Sequence, residues 1–191
     1  MVQVDFRFVC KPHSLGAQDF QPARILIGME GSAGWTDFLV ASAGATGALA
    51  GLAFVALSIN LARILELPGV VWRGGETLLL LAAGLMGSLM ALVPGLPARE
   101  LGVLLFVLWL PTWGAPTFIQ IQAVRRKQYY RARYALMRFV LHQAATLPFL
   151  FAALSLEGLM PGGLYWLAAA LLMCLGVGML NAWVLLVEIL R

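Results

Sequence analysis

The chain has 191 residues, of which 61% are hydrophobic and only 12% charged, 13 Lys+Arg against 9 Asp+Glu. A soluble domain carries about 25% charged and 45–50% apolar residues. So little charge cannot cover a water-soluble globule, which excludes a soluble enzyme, a disordered chain and a disulfide-stapled secreted domain. The composition predicts an all-α fold: a polytopic integral membrane helix bundle.

In chain order, residues 1–28 come first and differ from the rest. They hold Asp5, Arg7, Lys11, His13, Asp19 and Arg24, without an apolar run of signal-peptide length. Met29 leads through Glu30 and Asp37 straight into the first apolar run. The reading is that translation starts at Met29 and that 29–191 is the transmembrane domain. The alternative for 1–28 is a short extracytoplasmic arm with a binding role.

Charged residues then divide the chain. Uncharged runs of 25, 22, 24, 18 and 30 residues occupy 38–62, 77–98, 101–124, 139–156 and 158–187. A spanning helix needs about 20 mostly apolar residues. The runs therefore predict five transmembrane helices, over about 38–62, 77–96, 101–123, 137–156 and 163–187.

Span one carries Ala43, Gly47 and Gly51 at four-residue spacing, and span two adds Gly84 and Ser88. Small residues at this spacing let helix backbones approach closely, because lipid tails give no hydrophobic drive for association. They predict helix packing inside the bundle, with a homo-oligomer built on span one as the alternative.

Span three holds Trp109 and Trp113 at mid-depth, with Pro111, Gly114 and Pro116 expected to bend it. Packing explains the tryptophans. The alternative is a pocket wall for a quinone, a carotenoid or a lipid tail.

Span four is the shortest. It is entered through Arg138, His142 and Gln143 and contains Pro148. It is read as spanning, since proline is tolerated where neighbours re-satisfy the freed carbonyl. A re-entrant segment is the competing reading. Leu67-Pro68-Gly69, Pro94-Gly95-Leu96-Pro97 and Pro161-Gly162-Gly163 mark turns between the spans.

Orientation follows from Lys and Arg near the spans. Arg63 and Arg73 follow span one, and Arg125, Arg126, Lys127, Arg131, Arg133 and Arg138 follow span three, against Arg99 alone on the other side. This predicts an N-out, C-in protein of the cell inner (cytoplasmic) membrane. Arginine outnumbers lysine 11 to 2, which is read as the coding bias of a GC-rich bacterium. The basic loop, Arg125, Arg126, Lys127, Arg131 and Arg133 with interleaved tyrosines, would suggest nucleic acid in a soluble protein. Beside two spans it is expected to meet anionic lipid headgroups instead, so no nucleic-acid partner is expected.

Given that orientation, the strong polar side chains form one layer in the cytoplasmic third: Asn60, Gln120, Arg138, His142, Asn181 and Glu188. The outer half offers only hydroxyls. An ion path across a bilayer should place ionisable groups at several depths, and the sequence has none in its outer half. Arg138 and His142, four apart, share a helix face. With Glu188 they suggest either interhelical hydrogen bonding, a cytoplasm-facing pocket for an anionic headgroup or small ligand, or a proton-sensitive latch.

Cys10 and Cys174 are too differently placed to pair, and no Cys/His cluster has metal-ligand spacing. Neither a metal nor another cofactor is expected, and no catalytic signature is present.

The segment from Gly44 to Leu65, GATGALAGLAFVALSINLARIL, resembles the first span of small uncharacterised bacterial multi-span proteins. Their apolar helix similarly ends in a Ser-x-Asn-Leu turn before a basic residue. The resemblance covers about 22 residues and implies no activity. The expected function is a non-enzymatic helper or scaffold that contacts other membrane proteins, or itself, through spans one and two. A small oligomeric transporter or channel with a polar vestibule is the second reading, and a lipid-modifying enzyme using His142 the third.

Overall fold

The computed structural model describes residues 22–66, 70–125 and 132–190, with side chains for 34–66, 71–125, 133, 135–185 and 187. Among the described residues the regular elements are helices, without strands: α1 (Pro22–Ile59), α2 (Leu61–Glu66), α3 (Val70–Ala91), α4 (Ala98–Arg125), α5 (Ala132–Leu156) and α6 (Leu164–Leu190). Five of these are long and apolar enough to cross a membrane. The chain divides into two units, residues 1–35 and 36–191. Of the first, residues 1–21 lie outside the described residues, and most of the expectation about 1–28 with them. Residues 22–35 form the first part of α1. Pro22 heads that helix, at a position where a missing N–H is no loss.

In the second unit, α4 packs on α5, α5 on α6, α6 on α3 and α3 back on α4, closing a ring of four helices. Its centre is apolar: Leu80, Leu105, Phe149, Leu167 and Leu171 are fully enclosed, with Ala145, Ala152 and Ala170 between them. Alternating large and alanine side chains bring the helices close. Glycines extend this. A Cβ at Gly84 would stand 3.1 Å from Thr46 Cγ2, and one at Gly102 would stand 3.1 Å from the backbone oxygen of Ala153.

α4 continues unbroken through Pro111 and Pro116, and α5 through Pro148. α5 is thus one helix of 25 residues, long enough for the spanning role. α5 ends in a glycine cap. Gly158 adopts φ 83°, its N–H bonds Ser155 O, and the N–H of Leu159 bonds Leu154 O, which closes the last carbonyls of the helix. Ser155 Oγ then accepts from the N–H of Gly163 and donates to Met160 O, so one hydroxyl fastens the turn that leads to α6.

α1 stands beside this ring. Its second half touches α3 through Thr46 and Gly47, which face Gly84 and Leu85, and through Leu57 against Gly74. It is the least buried of the five long helices. At Asn60 the helix gives way to a single turn residue before α2, whereas an uninterrupted span to residue 62 was expected. The Asn60 amide donates to Ala56 O at 2.9 Å, the local side-chain bonding by which asparagine competes with helix.

Candidate buried polar site

The antiparallel course of α3, α4 and α5 brings the start of α3, the end of α4 and the start of α5 to the same end of the ring. Glu76, Gln120, Arg138 and His142 meet there. Glu76 lies on the packed face of α3, one turn before Leu80 and two before Ala83, both buried. It is only 8% exposed. Arg138 Nη2 donates to Glu76 Oε2 at 2.5 Å, and Gln120 Nε2 donates to Oε1 at 2.7 Å. His142 Nδ1 stands 3.4 Å from the same Oε1, and its ring is 1% exposed. One carboxylate therefore gathers groups from two other helices.

The cluster is only partly satisfied. Gln120 Oε1 and both ring nitrogens of His142 are buried and lack a protein hydrogen-bond partner. Buried polar atoms usually have one, so these three invite an occupant or a change of protonation. A neutral imidazole offers one donor and one acceptor, and the cation offers two donors.

Next to the cluster, Trp113 Nε1 donates to Gln143 Oε1 at 2.7 Å, and Gln143 Nε2 reaches Thr117 Oγ1 at 3.4 Å. Trp113 stacks on Trp109 with ring centroids 5.1 Å apart. Trp109 Nε1, buried as well, has no partner. The remaining hydroxyls act locally: Thr46, Ser58, Thr77, Ser88, Thr112 and Thr146 each donate to the carbonyl four residues earlier. That satisfies them within their own helices, without joining helices.

Of the polar layer read from the sequence, Gln120, Arg138 and His142 come together. Asn60 bonds its own helix, and Asn181 is half-buried on α6 and makes none of the cluster's bonds. The side chain of Glu188 lies outside the described residues. The carboxylate that organises the site is Glu76, which sequence reasoning used only to mark the edge of span two.

Among the small residues, Gly84 and the fully buried Ser88 sit at helix contacts, and Gly47 lies 3.7 Å from Leu85. Ala43 is half-buried. Gly51 is exposed, and nothing lies within 4 Å of a Cβ placed on it. Arg125 and Arg133 are exposed, while Arg126, Lys127 and Arg131 lie outside the described residues. Among the described residues, no three His, Cys, Asp or Glu side chains converge as a metal site would require.

At the opposite end of the ring, Arg99 Nε pairs with Glu157 Oε2 at 3.2 Å, with the arginine side chain 84% exposed. The two ends thus differ, one holding a buried ionic cluster and the other a solvated pair. No protein-family model matches the chain, and no curated protein or solved structure is significantly similar to it.

Proposed function

We propose that this is a multi-pass protein of the bacterial cytoplasmic membrane, N-terminus out, without a catalytic role, that binds another membrane protein through α1. The observation that carries this is the contrast between α1 and the four-helix ring. The ring closes on itself, whereas α1, among its described side chains, buries only Leu39 and Thr46, meets α3 at Gly84 and Gly74, packs Leu57 against Ile64 and Leu185, and leaves one whole side exposed. Ala41, Gly44, Ala45, Ala48 and Gly51 are all exposed on one side of it. No atom lies within 4 Å of a Cβ built on Gly44 or Gly51. In lipid, helices associate by close van der Waals contact, and small residues permit that approach. The occupant suited to this side is a transmembrane helix of a different protein. Anionic lipid headgroups at the basic α4–α5 connection would supply the remaining contact with the membrane.

A photo-crosslinking side chain at Ala48, in native membranes, tests the reading. One defined protein product, lost in Gly44→Leu and Gly51→Leu, is the expected result. Adducts to lipid alone would overturn it, and a product with a second copy of this chain would replace it with self-association.

A small transporter is the second reading, favoured by the buried Glu76–Arg138–His142 set, since ionisable residues inside a membrane often mark solute or proton paths. Flux into proteoliposomes that disappears in His142→Ala would support it. No flux over a wide pH range would count against it. A lipid-modifying enzyme would need His142 at an interface, and the ring is enclosed.

A further inference from the structure

We propose that Glu76 and His142 form a proton-binding site that acts as a latch: with His142 neutral the cluster holds α5 against α3 and α4, and proton uptake releases it. The argument rests on the geometry of the carboxylate. Glu76 Oε2 is taken by Arg138, and Oε1 by Gln120. His142 Nδ1 stands 3.4 Å from Oε1, outside good hydrogen-bond range, and Nε2 has no partner. A neutral ring fits there.

The charged and titratable groups around the ring, among those described, are few. α3 presents Glu76, and α5 itself presents Arg138 one turn away. α4 presents no charge, only Gln120 and the backbone of Trp113. α6 presents the Cys174 thiol, which donates to Ala145 O at 3.6 Å. When a proton binds the ring, both nitrogens become donors. Two cations then share one carboxylate at a buried site. Burying a second cation against one carboxylate without full compensation is strongly unfavourable, and opening to water lowers that cost. The acceptors in reach are the Trp113 carbonyl and Gln120 Oε1, both neutral, and neither offsets the added charge, so α5 moves away from α3 and α4 to let water in.

Cys174 supplies a native reporter. It is fully buried, and its partner Ala145 is three residues from His142 on the same helix. The experiment uses the full chain with Cys10→Ser, in phosphatidylcholine–phosphatidylglycerol vesicles. Cys174 is labelled with dithiodipyridine, which reacts in acid as well as at neutral pH. Each rate is divided by that of the His142→Gln variant at the same pH, which removes the reagent's own pH dependence. As pH falls from about 7.5 to about 4.5, a window that covers and extends below the range of free imidazole, this ratio is expected to rise on the order of tenfold as local opening exposes the thiol. An unchanged ratio would overturn the latch.

If His142→Gln does not fold, ring nitrogen NMR on histidine-labelled His13→Gln protein decides instead. A neutral-to-cationic transition whose midpoint matches the onset of Cys174 labelling supports the proposal. A ring that stays neutral while Cys174 becomes reactive overturns it.

Discussion

Arg138 on α5 donates to Glu76 on α3 across 62 residues of sequence, with side chains only 14% and 8% exposed. Such a pair gives little net stability, because two charges must leave water to form it. Losing one partner is far more damaging than never having had either. The pair therefore sets register: it fixes how far α5 slides along α3, which the surrounding leucines and alanines alone do not specify.

Glu76→Ala is expected to destabilise the bundle by about 3–5 kcal/mol, since it leaves Arg138 buried without its carboxylate. The double variant Glu76→Leu with Arg138→Met should recover most of that loss. Equilibrium unfolding in mixed micelles, read as a double-mutant cycle, measures the coupling. Simple addition of the single losses would show that the two residues do not act as a pair.

Two glycines on α4 should respond in opposite ways to alanine. Gly102→Ala meets the backbone oxygen of Ala153 at 3.1 Å, and backbone cannot step aside as a flexible side chain can. A loss of about 1–3 kcal/mol is expected. At Gly114 nothing lies within 4 Å, so Gly114→Ala should gain roughly 0.8–1 kcal/mol through helix propensity. Thermal unfolding of the two variants side by side reads the difference, and equal shifts would contradict the packing described at Gly102.

These glycines also show what the sequence could and could not disclose. Long uncharged apolar runs and turn residues were enough to place five long helices, because a helix that long and that apolar has few alternatives. Gly84 and Ser88 were readable as packing positions from their spacing. Gly102 was not, since its role depends on Ala153 from another helix. Glu76 was hidden because a charged residue beside an apolar run reads as the edge of a span, even where it folds inward. The signal that would have found it is helical phase: Glu76, Leu80 and Ala83 recur at intervals of four and three on the packed side of α3.

Ser155→Ala is expected to cost about 1–3 kcal/mol, because the N–H of Gly163 would lose its acceptor in a tight turn. Hydrogen exchange should speed up at Gly163, with little change at the Glu76 end. Uniform acceleration throughout the bundle would show that the turn is not a local fastening.

Orientation can be read directly. Reporter fusions after Arg125 and at the C-terminus are expected to report the cytoplasm, and a fusion within residues 157–163 the opposite side, as the distribution of basic residues requires. Replacing Arg125 and Arg133 with glutamine should weaken that preference. A cytoplasmic signal from the 157–163 fusion would reverse the proposed topology.

The tight approach of Gly102 to Ala153, together with the Ser155 fastening two residues further on, makes the ends of α5 mechanically unequal. One end is held to α4 by close backbone approach and to the turn before α6 by the Ser155 hydroxyl, neither of which carries a charge. The other is held by side chains whose grip depends on ionisation. On the proposed latch α5 is thereby a lever with a fixed fulcrum: a small event at His142 would become a tilt, largest at the start of α5.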